Sequence, residues 1–155
     1  MRTKIFLTVI FLLGIFMAQA QNEVFEKLSE HKGITTVYIS KSLLGMMPNK
    51  TDIEGMDISS LSGKLEQMEI YNADDENKSA MQLIRTEISK LVKSKKYETL
   101  MSVKDDGDNI TFYGYKEGDK FKDLIMYVDE PHECTVIRII GSFTSKDLQK
   151  VMPQH

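Results

Sequence analysis

Only one cysteine, three prolines and no tryptophan occur among the 155 residues of the chain. The single cysteine, Cys134, cannot form a disulfide within the chain, so packing rather than cross-linking must stabilise the fold. Basic residues are in the minority, with 20 against 23 acidic residues and a formal charge of −3. Because phosphate binding requires a basic surface, we expect no nucleic-acid partner.

The longest apolar run lies at the beginning of the chain. Two basic residues precede an apolar stretch at 5–17, and the small residues Ala18 and Ala20 follow it. This order is typical of a secretory signal peptide, here residues 1–20. The stretch, about thirteen residues long, is too short for a membrane-spanning helix, which needs about twenty. We therefore expect cleavage after Ala20, one domain over 21–155, and a periplasmic or secreted location without a stable membrane anchor.

The first residue after the expected cut is Gln21, where a lipoprotein would have the cysteine that carries the lipid. The sequence therefore implies no lipid anchor. The signal segment contains two of the basic residues, so the mature chain keeps 18 basic and 23 acidic residues and a formal charge of −5. Its length suits one ordinary domain with its own core.

Apolar periodicity divides the remainder into a first half rich in helices and a second half rich in strands. The clearest helix carries an apolar stripe of Ala80, Ile84, Ile88 and Leu91. Acidic residues at 74–76 precede it and lysines within 93–96 follow it, as the helix dipole favours. Other helices are predicted over 22–33, from Ser40 to Pro48, from Asp57 to Leu65, and from Thr144 to Met152. Strands are predicted over 34–40, 67–71, 97–104, 110–116, 121–129 and 134–141, with a polar loop over 48–57.

Turns rich in aspartate and glycine, at 105–108 and 117–119, join three of the later strands into hairpins. An antiparallel meander results, and the helices pack over one face of its sheet. The sequence therefore predicts an α+β fold, namely a two-layer sandwich with a mainly antiparallel sheet and helices on one face.

The stretch at 131–134 contains the most reactive side chains, His132 and Cys134, which we expect on one side of a strand. Both can bind a soft metal, but tetrahedral zinc normally takes at least three protein ligands, and His31 and His155 lie far away in sequence. As a nucleophile, Cys134 would need an exposed electropositive setting and an oriented base. We therefore expect Cys134 to be a buried small side chain, and we assign no catalytic, cofactor-binding or metal-binding residue.

The acidic turn at 105–109 offers the hard oxygen ligands that calcium prefers. Its spacing does not fit an EF-hand loop. With Gly107 at the sixth position, Ser102 stands where the first aspartate belongs and Tyr113 where the last glutamate belongs. A solvated hairpin turn is the simpler interpretation.

Aromatic residues alternate along one predicted strand, at Phe112, Tyr113 and Tyr115. Together with Tyr38 and Tyr127 they could line a ligand groove on the open face of the sheet. Ordinary strand composition predicts them equally well, so both interpretations stay open.

A succession of strand segments, at 36–41, 97–101, 110–113, 124–128 and 136–143, resembles an uncharacterised family of secreted proteins from Gram-negative Bacteroidetes. The family is catalogued as a domain of unknown function of the 4252 type. The resemblance covers nearly all of the mature chain and rests mainly on apolar strand patterns. It implies export, and it carries no activity, cofactor or catalytic residue to positions in this chain.

Three functions follow as hypotheses. The first is a non-enzymatic binding or interaction domain in the periplasm or envelope, which engages an unidentified envelope protein or small ligand through the open sheet face or the 48–57 loop. The second is a metal-dependent or hydrolytic enzyme centred on His132 and Cys134. The third, a component of envelope-stress signalling, depends on family-level analogy alone.

Overall fold

The computed structural model describes residues 22–46, 52–53, 56–57, 61, 63–94 and 96–151. The predicted signal peptide at 1–20 lies outside these residues. Most of the predicted 48–57 loop and the predicted helix end at Met47 and Pro48 also lie outside them.

Four helices follow the apolar periodicity of the sequence. They are α1 over 22–30, α2 over Lys41–Leu44, α3 over Lys78–Lys93 and α4 over Ser145–Val151. Ser40 caps α2 as predicted, because its hydroxyl accepts a hydrogen bond from the Leu43 N–H. α2 ends at Leu44, earlier than predicted, where Gly45, a poor helix former, begins a turn. Among the described residues, no helix has the length and apolar character needed to cross a membrane.

The ends of α3 and α4 have the predicted chemistry. Asp74 accepts a hydrogen bond from the Glu76 N–H, 3.1 Å from Oδ1 to N, in the 3-10 turn Asp75–Asn77 that leads into α3. Before α4, the N–H and hydroxyl of Thr144 each donate to Oδ2 of Asp147 at 2.8 Å. The Asp147 N–H donates back to the Thr144 hydroxyl at 3.3 Å. Thr144 and Asp147 therefore form a capping box at the start of α4, which the predicted helix start at Thr144 allows.

Six strands form one antiparallel sheet. In chain order they are β1 (Thr35–Ser40), β4 (Leu65–Asp74), β5 (Tyr97–Asp105), β6 (Asp108–Glu117), β7 (Lys120–Asp129) and β8 (Glu133–Phe143). Their spatial order is β1-β4-β8-β7-β6-β5. The last four are the predicted meander, and β4 lies between β1 and the final strand of that meander.

A separate hairpin replaces part of the predicted loop. β2 (Asp52–Ile53) pairs antiparallel with β3 (Met56–Asp57). The predicted helix from Asp57 to Leu65 lies largely outside the described residues; Leu61 is in a 3-10 turn, whereas Leu65 begins β4, so the predicted helical end at Leu65 is wrong. Leu61 and Leu65 are both buried, and two apolar residues four positions apart fit a helical turn and a strand entry equally well.

The sheet carries a core on each face. The larger one lies under the long helices α1 and α3, and it contains Phe25, Leu28, Ile34, Tyr71, Ala73, Ala80, Met81, Ile84, Ile88, Leu91, Tyr97, Ile125, Tyr127, Cys134 and Val136. The other contains Leu44, Leu61, Leu65, Met68, Phe121, Met126, Val128, Ile137, Ile139, Phe143 and Leu148. The α+β class is confirmed, and the structure adds that the short helices α2 and α4 contribute Leu44 and Leu148 to the second face.

Gly141 allows a close approach of two backbones at one end of β8. A Cβ atom at this position would collide with the backbone oxygen of Lys64 and with the ring of Phe143. The neighbouring Ser142 N–H donates to the same Lys64 oxygen at 3.2 Å. Glycine is therefore required here by space rather than by an unusual backbone angle.

Candidate functional site

An open cleft of about 640 Å³ lies between α1 and the strands β1, β4 and β8. We call it the α1 cleft. It is lined by Asn22, Phe25, Glu26 and Ser29 of α1, Thr36 and Tyr38 of β1, Gln67, Glu69 and Tyr71 of β4, and Arg138 and Ile140 of β8.

Strand register determines which side chains reach the cleft floor. Tyr38, Glu69 and Arg138 are direct partners across β1, β4 and β8. Directly paired residues project from the same face of a sheet, and here that face lies toward α1. Thr36 pairs with Tyr71 in the next row of the same face. Three strands thus place a phenol, a carboxylate and a guanidinium side by side.

Arg138 is the centre of a buried polar network. Its Nε and Nη2 lie 2.9 and 2.8 Å from Oδ2 of Asp123, and its Nη1 lies 3.3 Å from Oε2 of Glu69. The guanidinium also stacks over the ring of Phe25, 4.1 Å from the ring centroid. Only 5% of Arg138 is exposed. Its charge is therefore already engaged by two carboxylates and one aromatic ring.

Asp123 lies behind Arg138 and is buried. Its Oδ2 also accepts a hydrogen bond from the Tyr97 hydroxyl at 3.0 Å, whereas Oδ1 has no hydrogen-bond partner among the described residues. Burial raises the pKa of Asp123, and the positive charge of Arg138 opposes this rise. Asp123 and Glu69 are two acids that share one arginine, so the network carries excess negative charge whenever both are ionised.

Glu69 lies at the cleft floor, where 13% of its side chain is exposed and one acceptor position of its carboxylate has no partner among the described residues. Its Oε2 accepts from the Tyr71 hydroxyl at 2.9 Å and from Arg138, and its Oε1 accepts from the amide of Gln67. A carboxylate oxygen has two acceptor positions, so Oε1 retains one. Burial raises the pKa of Tyr71, and the charge of Glu69 adds to the rise, which keeps Tyr71 in its hydrogen-donating form.

The structure separates His132 from Cys134. Cys134 is fully buried on β8 beside the Tyr127 hydroxyl at 3.7 Å, and burial raises the pKa of its thiol to about 11, which disfavours the nucleophilic thiolate. The His132 side chain is 83% exposed in the turn before β8, with Nδ1 2.8 Å from a carboxylate oxygen of Asp75. The prediction of a buried Cys134 is confirmed. The prediction that both side chains share one side of a strand is wrong, because His132 precedes the strand.

Of the remaining histidines, only His31 lies among the described residues. His31 directly follows α1, near the beginning of the described chain. Its Nδ1 is buried without a hydrogen-bond partner among the described residues. His155 lies outside the described residues. In the part of the chain that the structure describes, no group of three or more histidine, cysteine, aspartate or glutamate side chains is arranged to hold a metal ion.

The acidic turn at 105–108 joins β5 to β6. Asp106 and Gly107 have φ angles of 41° and 100°. Two consecutive positive angles are typical of the type I′ turn that suits a two-residue hairpin. The interpretation of this segment as a hairpin turn is therefore confirmed.

The predicted aromatic groove does not form as one surface. Tyr38 lines the α1 cleft and is 61% exposed. Tyr127 is buried, Tyr113 and Tyr115 pack against the core under α1 and α3, and Phe112 packs against the opposite core. Alternation along a strand puts neighbours on opposite faces, so the five rings divide between the two sides of the sheet.

The sequence contained a signal for the polar network that the prediction missed. Arg138 interrupts the apolar run at 136–140, whereas Asp123 and Glu69 lie in strand segments that contain other charged or polar residues. A charged residue at an inward position of such a strand is rarely buried unless it is paired. Arg138 therefore indicates acidic partners elsewhere in the fold, and only the register shows that they are Asp123 and Glu69.

The fold and the cleft define an α+β domain with a polar, ligand-sized depression at one side of its sheet. The profile of the family described as Domain of unknown function (DUF4252) matches residues 25–151, and the chain belongs to this family. The matched range includes every residue that lines the α1 cleft except Asn22. No curated protein and no solved structure matches the chain significantly.

Proposed function

We propose that the chain is an exported, non-enzymatic binding domain of the cell envelope, and that its α1 cleft holds a small ligand. The observation that carries this proposal is the cleft itself. Its volume of about 640 Å³ lies within the range of about 300–1,000 Å³ that ligand pockets occupy. Its polar groups are fixed by paired strands, so a ligand would meet them already oriented.

The chemistry of the lining favours binding over catalysis. The lining residues include neither histidine nor cysteine. Glu69 accepts hydrogen bonds from three neighbouring side chains, and Arg138 is buried between two carboxylates. These groups are arranged to recognise a ligand rather than to exchange protons or to attack it.

Export is supported by the signal-like order of residues 1–20. The test is the mass of the protein recovered from its native host. A mature chain that begins at Gln21 in the periplasmic or extracellular fraction is the expected result. A chain that still begins at Met1 and stays in the membrane fraction would contradict export and leave the cleft proposal untouched.

Binding is tested by blocking the cleft. Thr36 lines the cleft. Thr35, the adjacent residue of β1, is also exposed but projects from the other face of the sheet. We expect a low-mass extract of the native envelope to raise the melting temperature of the wild-type chain and of Thr35→Trp, but not of Thr36→Trp. Equal stabilisation of all three proteins would place the ligand elsewhere, and no stabilisation of the wild type would contradict the proposal.

A further inference from the structure

We infer that the ligand of the α1 cleft is a small organic cation that carries an ammonium or guanidinium group. The inference depends on the proposed function, since it names the chemical class of the ligand that the same cleft would hold. Three features lead to it: the balance of charge in the lining, the open acceptor on Glu69, and the exposed ring of Tyr38.

The charged groups of the cleft leave an excess of negative charge. Glu26 and Glu69 are its acidic lining residues and Arg138 is its basic one. Arg138 is already paired with Glu69 and Asp123, while the Glu26 carboxylate has no ion pair among the described residues. With all four groups ionised the total is −2, and protonation of Asp123 leaves −1. A cleft walled by protein attracts counter-ions of the opposite sign.

The same geometry disfavours an anionic ligand. A carboxylate or phosphate would need a donor cation, and the guanidinium of Arg138 is 6% exposed with its nitrogens directed at two carboxylates. An anion would have to displace one of these buried partners and leave it unpaired, which is strongly unfavourable.

The surroundings of Arg138 show how the protein binds a cation in this region. Its guanidinium lies between carboxylates and over the face of Phe25. A ligand cation at the cleft floor would meet a similar set of groups: the remaining acceptor position on Oε1 of Glu69, and the ring of Tyr38, which is the direct strand partner of Glu69. Aromatic faces and carboxylates together are typical of sites for organic cations.

Three probes with a shared body and different charge test the inference. Tryptamine is cationic, tryptophol is neutral and indole-3-propionate is anionic. We expect tryptamine alone to shift the amide resonances of Tyr38, Glu69 and Arg138 in NMR titrations of the mature chain, with an affinity that falls as salt is added. A short peptide with one central lysine is titrated in parallel. Its result distinguishes a small free amine from a lysine side chain as the source of the ammonium group that the cleft binds.

Two matched variants assign the charge. Glu26 and Glu23 are both exposed on α1, but only Glu26 lines the cleft. Glu26→Gln should weaken tryptamine binding several-fold, and Glu23→Gln should leave it within twofold of the wild type. Glu69→Gln removes the floor carboxylate and should weaken binding about tenfold or more, as the loss of a charged hydrogen bond does. Because Glu69 also contacts Arg138, its replacement can disturb the fold. Tyr38→Leu changes a mostly exposed side chain instead and should also weaken tryptamine binding several-fold.

The outcomes separate this inference from the proposed function. If tryptophol or indole-3-propionate shifts the resonances of the cleft residues as much as tryptamine does, the ligand is not a cation. The proposed binding function would then still stand. Shifts from no probe, combined with no stabilisation by the envelope extract, would contradict both. Equal weakening by Glu26→Gln and Glu23→Gln would show that general surface charge, rather than the cleft, attracts the cation, and would also overturn the inference.

Discussion

Replacement of Arg138 by methionine tests whether the buried network stabilises the fold through its charge. Methionine has a similar length and fills space without a charge, so Arg138→Met removes the guanidinium with little change in packing. Among the described residues, it leaves the buried Asp123 with the Tyr97 hydroxyl as its one donor, and it leaves Glu69 with Tyr71 and Gln67.

The loss of unfolding free energy in Arg138→Met follows from the carboxylates that it leaves unpaired. Arg138 makes two contacts to Asp123 and one to Glu69, and the Arg138 and Asp123 side chains are each 6% exposed. Removing one partner of a buried ion pair costs about 3–5 kcal/mol, because the other charge stays desolvated. We expect a loss of about 4 kcal/mol at pH 7, which is a large part of the roughly 5–15 kcal/mol that stabilises a typical domain.

The loss should depend on pH in a definite direction. The pKa of Asp123 is raised above its ordinary value because burial outweighs the charge of Arg138. The folded state therefore holds this proton more tightly than the unfolded chain does. The stability that this tighter proton binding contributes is fully present below the ordinary pKa of an aspartate. It is lost as the pH rises through the folded-state pKa of Asp123. Without Arg138 the folded-state pKa of Asp123 rises further, so the deficit of Arg138→Met should shrink between pH 7 and pH 5.

The assay is urea unfolding of residues 21–155, followed by circular dichroism at both pH values. The double variant Arg138→Met/Asp123→Leu is the control, since it also removes the stranded carboxylate and should be more stable than the single variant. A single variant within 1 kcal/mol of the wild type would refute the reasoning. A deficit that grows on acidification would do the same.

Three further changes follow from contacts elsewhere in the fold, and each is measured against the wild type. Gly141→Ala should lower the free energy of unfolding in urea by about 3 kcal/mol, because its Cβ would collide with Phe143 and a backbone oxygen. Gly45→Ala is the control and should leave stability unchanged, because the nearest atom to its Cβ is 3.5 Å away. Equal effects of the two substitutions would show that the collision at Gly141 is relieved. Cys134 should react with a thiol reagent slowly in the folded chain and rapidly in urea, because it is buried and its pKa is raised to about 11; rapid stoichiometric labelling of folded protein would contradict this. Thr144→Ala should lower the unfolding free energy by about 1 kcal/mol through loss of the α4 cap, and an unchanged melting temperature would count against that cap.

Features with a local cause could be predicted from the sequence. The apolar stripe of α3 and the aspartate-glycine turn at 105–108 specify a helix and a hairpin without reference to the rest of the chain. The usual burial of an unpaired cysteine also predicted that Cys134 would be buried. These signals were sufficient for the α+β class and for the C-terminal meander.

Features that depend on distant contacts could not be predicted. Two leucines at 61 and 65 fit a helix until the pairing of β4 is known. The α1 cleft requires the register that aligns Tyr38, Glu69 and Arg138, and a one-residue slip would send each side chain to the opposite face. A single sequence contains the three residues but not their alignment.

The position of β4 between β1 and β8 determines when the cleft can form during synthesis. β5 to β8 each pair with a sequence neighbour, so the meander can assemble from local hairpins. The contact of Glu69 with Arg138 spans 69 residues, and its loop-closure entropy must be overcome before it forms. A nascent chain that has not yet released its last strand therefore has no cleft floor, and it cannot capture a ligand before its synthesis is nearly complete.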